Sequence, residues 1–266
     1  MSKAEKLYQK VKDDYNLIAD HFSQTRQWQW SEFSDFKPYL HSGQSVLDLG
    51  CGNGRLYFSF LKDLNLEYHG IDINERLIGI AREAAKADTC HSRAGGNLKG
   101  AINNNNVDSC FRRNDKKGSA SLCYFKVGNI ATLTYPDNYF DVIFCIATFH
   151  HLPSKELRLK ALNEIKRVLK PDGYLLMTNW YWWQSFPWKY FFNKFFWKNS
   201  WNDLFIPWKN QKGEVITDLY YHAFTINELK KIINDSGLNI EKIYLFDKEK
   251  KTRKKSRINL ISIVKK

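Results

Sequence analysis

Val46-Leu-Asp48-Leu-Gly50-Cys-Gly52-Asn-Gly54-Arg55 is the stretch on which the reading of this 266-residue chain turns. An apolar run ending in an acid passes into three glycines at alternate positions, the pattern of a strand, a tight turn and a helix start. Outward from it the chain alternates: strand 44–49, helix 54–63, strand 67–72, helix 75–87, strands 122–127 and 139–146, helix 154–169, strand 173–180. Lys170-Pro171-Asp172-Gly173 supplies a helix stop and a turn before the last of these. Helix 225–236 ends at Gly237, and the runs 238–247 and 257–264 read as a closing antiparallel pair. Upstream, Leu7, Val11, Tyr15, Ile18 and Phe22 predict a helix over 3–22, with a second short helix over 30–40, so residues 1–43 read as a helical cap. Alternating βα units imply an α/β fold in a single domain: a Rossmann-like doubly wound sheet, mostly parallel, with a C-terminal antiparallel hairpin.

The glycine turn discriminates between cofactors. A dinucleotide fingerprint wants G-x-G-x-x-G, whose third glycine permits tight helix–strand packing; here Arg55 stands at that position. Asp48 would oppose a pyrophosphate, which seeks backbone N–H groups and positive potential. S-adenosylmethionine (SAM) instead carries an ammonium and a sulfonium, both compatible with a carboxylate. Gly50, Gly52 and Gly54 allow the backbone close approach to its methionyl and ribose parts. Asp72, at the end of the second strand, suits two ribose hydroxyls. After the third strand, Asn129 and Ile130 fall where an adenine ring would be recognised, Asn129 through its carbonyl oxygen. No residue pattern calls for a metal.

Two segments depart from the plan. Residues 88–119, with Ser92-Arg-Ala-Gly-Gly-Asn97 and Phe111-Arg-Arg-Asn-Asp115, have neither helical nor strand periodicity and read as a disordered insertion; a basic substrate-gripping loop is the other reading. Residues 181–224 are rich in aromatic side chains and read as a lid or substrate segment. Within it, Trp188 to Trp197 has a helical pattern, with Trp188, Phe191, Phe192, Phe195 and Phe196 on one face. Packing on the sheet, base stacking and peripheral membrane contact are the three uses open to it.

The net charge of +13 is unevenly distributed: residues 1–87 are close to neutral and 179–266 carry +9. That asymmetry suits nucleic acid or an anionic membrane at the C-terminal side, or a merely solvated basic face. Five scattered cysteines without a C-x-x-C pair point away from a disulfide frame or structural zinc and towards a cytoplasmic setting. No apolar run reaches the length of a transmembrane helix. The chain lacks an Asp/Asn-Pro-Pro-Tyr/Phe motif after the fourth strand, a Pro-Cys nucleophile and a triple-cysteine cluster. What remains is direct displacement at a sulfonium methyl group.

Tyr15-Asn-Leu-Ile-Ala-Asp-His-Phe-Ser-Gln-Thr-Arg26, Val46–Arg55, Ile146-Ala-Thr-Phe-His150-His151-Leu152 and Tyr220-Tyr221-His222-Ala-Phe224-Thr resemble the tRNA wobble-uridine carboxymethyl methyltransferases, a class I SAM-dependent family. The resemblance spans nearly the whole chain outside 88–119. It implies methyl-ester formation on the carboxylate of 5-carboxymethyluridine, tRNA as partner, and a small zinc-containing activator subunit of the kind that eukaryotic members use. Leu219 departs from the arginine that relatives often carry there. An ionised carboxylate needs a hydrogen-bonding or cationic clamp rather than a base, and Arg26, His150, His151, Tyr221 and His222 are the candidates. The basic run 248–257 suits an RNA backbone. Two rival readings stand beside this one: methylation of a hydrophobic quinone or lipid precursor near a membrane, and a non-catalytic SAM-binding module.

Overall fold

The computed structural model describes residues 1–25, 30–92, 109–114, 119–181, 202–247 and 258–266. Arg26, the Trp188–Trp197 pattern and the basic run 248–257 lie outside them. The strands are β1 (Ser45–Leu49), β2 (Glu67–Asp72), β3 (Ser109–Asn114), β4 (Ser119–Val127), β5 (Phe140–Ile146), β6 (Leu169–Trp180), β7 (Asp203–Lys209), β8 (Val215–His222), β9 (Asn239–Asp247) and β10 (Ile258–Lys265). The helices are α1 (Lys3–Thr25), α2 (Glu75–Ser92), α3 (Lys155–Val168) and α4 (Ile226–Asp235). An eight-stranded sheet runs β3-β4-β2-β1-β5-β6-β10-β9. Its five central strands pair in parallel, and β10 and β9 close it antiparallel beyond β6. The strand order reverses at β1, which places the ends of β1 and β5 at the crevice where open parallel sheets take ligands.

Period-2 alternation divides the core into two layers. Leu47, Leu49, Ile143 and Cys145 face α3 and α4, whose Leu162, Ile165, Leu229 and Ile233 cover them. Val46, Val142, Phe144 and Ile146 face the other way, against Ile78 and Ala81 of α2 and Phe33 and Phe36 of the 3-10 turn Ser31–Tyr39. Helix starts follow local chemistry. Ser154 and Thr225 accept from the backbone N–H three residues on, capping α3 and α4, and Gly237 at φ 72° ends the latter. The glycine turn leads into a helical stretch that is π-wound over Tyr57–Leu61.

Four departures from the sequence reading concern the fold. β7 and β8 form a separate antiparallel ribbon inside the 181–224 segment, where no strand is predicted. Neither strand alternates apolar and polar side chains, β7 being half-buried along most of its length and β8 buried only in its second half, so periodicity gives no strand signal there. Residues 109–114, inside the stretch expected to be structureless, form an edge strand antiparallel to β4. The Lys170–Gly173 turn is absorbed into β6: Leu169 pairs with Phe140, the register shifts, and pairing resumes at Tyr174 opposite Val142. Cys123, buried in β4, is disulfide-bonded, against the expectation from scattered cysteines, whereas Cys51 and Cys145 are free and buried. No helix among the described residues is long and apolar enough to cross a membrane.

Candidate functional site

A cavity of about 660 Å³ opens at the carboxyl ends of β1 and β5. Its floor at one end is the glycine turn. Gly50, Gly52 and Gly54 have φ of 73°, 56° and 78°, a region that L-residues with a Cβ avoid. A Cβ on Gly50 would overlap the Thr148 side chain, and one on Gly54 would come within 2.7 Å of Phe58. Gly52 is the open position, its nearest neighbour being Phe22 at 3.7 Å. The turn is thus closely walled at Gly50 and Gly54 and open at Gly52.

Asp48 and Asp72 both line this end. Asp48 is 2% exposed, and its Oδ2 accepts from the Tyr68 hydroxyl at 2.8 Å. Burial pushes its carboxyl up to about 7, against the pull of that hydrogen bond. Asp72 accepts backbone N–H bonds from Gly52 (2.9 Å) and Asn74 (2.8 Å), one at each oxygen, and burial raises it to about 6. The Ile73 N–H also favours the carboxylate, and the acceptor capacity left over suits a ribose hydroxyl. A buried carboxylate (Asp48) and a half-buried one (Asp72) beside the glycine turn fit a ligand bearing an ammonium, a sulfonium and a diol. The donor set therefore suits SAM.

Asn129 is occupied differently from expectation. Its Oδ1 accepts from the Ala131 N–H (2.9 Å) and the Tyr8 hydroxyl (3.1 Å), so the oxygen expected to meet adenine is engaged within the protein. Ile130 does line the cavity. Tyr8 comes from α1, the roof: Tyr8, Val11, Tyr15 and Phe22 line the cavity from one face of that helix. Asp14 bonds Thr217 of β8 at 2.7 Å, His21 bonds the Trp208 indole at 2.9 Å, and Asp20 pairs with Arg76 of α2.

Another part of the lining is aromatic. Trp180 and Tyr221 stack at 4.3 Å with planes 20° apart, and Trp208 and Phe22 complete the wall. The adjacent histidines differ sharply. In His151, Nδ1 donates to the Tyr220 carbonyl (2.9 Å), so neutral Nε2 accepts from the Tyr15 hydroxyl (2.9 Å). Burial depresses its pKa to about 4. In His150, Nδ1 accepts from the Trp180 N–H at 3.3 Å, which leaves the proton on Nε2. That buried Nε2 has no hydrogen-bond partner among the described residues, and burial holds the ring's pKa well below the usual histidine value. His150 is among the cavity-lining residues as a neutral imidazole.

His222 is not among the cavity-lining residues. Each of its ring nitrogens faces a carboxylate at 2.7 Å, Asp203 on one side and Glu228 on the other. Tyr220 also donates to Asp203, Asn202 donates to Glu228, and Arg158 lies 3.8 Å from Glu228. This knot ties the β7–β8 ribbon to α3 and α4. Strand alternation puts Tyr221 on the cavity side and His222 behind it. Sequence reading missed Tyr8, Tyr15, Trp180 and Trp208 as wall residues; the signal available was their aromatic type at α1's cavity face and after β6. Among the described residues no cluster of His, Cys, Asp or Glu is arranged to hold a metal ion.

The Methyltransferase domain family matches residues 47–177. The chain is 33% identical over 166 residues to a "Probable methyltransferase ltbC" of Aspergillus luteorubrus, covering 62% of this chain and 49% of that one. It is 31% identical over 166 residues to a tRNA (carboxymethyluridine(34)-5-O)-methyltransferase of Arabidopsis thaliana, covering 62% and 31%. A protein of the same name from Schizosaccharomyces pombe is 24% identical, covering 85% of this chain and 87% of that one. The chain thus spans half or less of the first two relatives. Among solved structures, a SAM-dependent methyltransferase of Methanosarcina mazei superposes with a TM-score of 0.65 at 22% identity, covering 90% and 98%. A Haloferax volcanii complex of the Trm112 methyltransferase activator with a putative methyltransferase gives 0.60 at 15%, covering 96% of each chain. The chain therefore carries a class I SAM-dependent methyltransferase domain, with SAM as its cofactor, and resembles the tRNA carboxymethyluridine methyltransferases.

Proposed function

We propose that this chain methylates the carboxylate of a 5-carboxymethyl wobble uridine in tRNA, forming a methyl ester. The observation that carries the reading is that one cavity is lined both by Asp48 and Asp72 and by the stacked Trp180–Tyr221 pair beside His150. The cofactor supplies a methyl group activated by the sulfonium. The chain's residues do the rest. The aromatic wall accepts a planar base by stacking. His150 Nε2–H donates to an oxygen of the acceptor carboxylate and holds it in line. That carboxylate is already ionised at neutral pH, so no side chain has to remove a proton. The apolar walls exclude water, and alignment with desolvation lowers the barrier. His151 acts through Tyr15, and His222 through Tyr221. Arg26, which follows Thr25 in the chain, is assigned to the acceptor's carboxylate or phosphate.

On this reading the partners are tRNA, through the basic last third, and a small activator of the Trm112 kind; the setting is cytoplasmic. The test incubates the protein, with and without such an activator, with methyl-labelled SAM and bulk tRNA. Label in tRNA that mild base releases is the expected result. A second reading, a hydrophobic small-molecule acceptor, draws on the aromatic character of the same wall and on the Aspergillus relative. Label entering a lipid or quinone extract and never RNA would overturn the first reading in its favour. SAM binding with no transfer to any acceptor would leave a non-catalytic binding module.

A further inference from the structure

Arg55 follows the last glycine of the turn and lines the cavity, where it is the only guanidinium or ammonium among the described lining residues. Its guanidinium carbon lies 4.5 Å from the centroid of the Trp30 ring, which also lines the cavity. Stacking engages the face of a guanidinium, and its in-plane N–H groups are the part that recognises carboxylates. Asp48, seven residues earlier, stands at the other side of the same turn, close enough for the Arg55 charge to favour its ionised form. A buried carboxylate and a stacked guanidinium flanking an open glycine are complementary to an α-amino acid, whose ammonium and carboxylate share one carbon.

We propose that Arg55, laid on Trp30, is a carboxylate seat that holds the methionyl carboxylate of SAM while Asp48 faces its ammonium. The indole limits where the guanidinium lies, so less side-chain freedom is lost on binding. The seat also explains chemically why an arginine, rather than the small residue of a dinucleotide fingerprint, follows the turn. It concerns the cofactor alone and is independent of the acceptor's identity.

Calorimetric binding of SAM and of decarboxylated SAM to the wild type, Arg55→Gln and Arg55→Lys tests the proposal. Arg55→Gln should weaken SAM roughly 10- to 100-fold, the size of one charge-assisted hydrogen bond. Decarboxylated SAM should bind the wild type and Arg55→Gln alike, and Arg55→Lys should recover part of the SAM affinity. Thermal unfolding of each variant checks that the turn remains folded. Equal weakening of both ligands would overturn the proposal, since the loss would then be structural. Unchanged SAM affinity would overturn it too, including the case in which only the acceptor's KM rises.

Discussion

The Tyr15 hydroxyl and Nε2 of His151 lie 2.9 Å apart, joining the roof helix α1 to the turn after β5, where burial keeps that imidazole neutral. Tyr15→Phe leaves a buried acceptor without its donor. We expect a loss of about 1–3 kcal/mol in denaturant unfolding. Because burial depresses the folded-state pKa of His151 to about 4, its contribution is present above the unfolded value near 6.5 and is lost as pH falls through 4. His151→Gln should therefore flatten the stability profile between pH 6.5 and 4; an unchanged slope there would contradict the assignment.

The cofactor end has the opposite sign. Burial raises the folded-state pKa of Asp48 to about 7, so its contribution is fully present below the unfolded value near 4 and is lost as pH rises through 7. Asp48→Asn should make the ligand-free protein more stable than the wild type at pH 8, by up to roughly a few kcal/mol, and about equally stable at pH 4. SAM binding should show the reverse dependence. Wild-type affinity should rise through pH 7, while Asp48→Asn should bind weakly with little pH dependence over that range, as titration calorimetry would read.

Gly50 and Gly43 share positive φ (73° and 86°), but only Gly50 would place a Cβ into a neighbour, the Thr148 side chain. Gly43→Ala should cost about 1–2 kcal/mol, the left-handed backbone penalty. Gly50→Ala should cost more and also abolish measurable SAM binding. Equal effects of the two substitutions would show that close packing of the turn is unimportant.

Strand β3 covers the outer edge of β4. Deleting 93–118 would bare the β4 backbone, and exposed strand edges recruit other strands. The shortened chain should self-associate in light scattering while binding SAM within about twofold of wild type. A monomer with unchanged stability would return residues 88–119 to the reading of an inert insertion.

Much of the molecule was legible in local sequence because its causes are local. The β1 strand, the glycine turn, Asp48 and Asp72 follow from short-range apolar pattern, backbone conformational freedom and charge. The helix ends at Ser154, Thr225 and Gly237 follow from capping chemistry. The α/β alternation and the terminal antiparallel pair follow from periodicity. Tertiary structure alone decided the remainder. It separated three histidines into a cavity-lining ring with a buried Nε2 that has no partner among the described residues (His150), a neutral tether (His151) and a carboxylate-bound knot outside the cavity lining (His222). It engaged Asn129 with Tyr8, 121 residues away in the chain, and built the aromatic wall from Phe22, Trp180, Trp208 and Tyr221. A side chain's protonation and orientation depend on partners brought close by folding, and those long-range contacts leave no periodic trace in the chain itself.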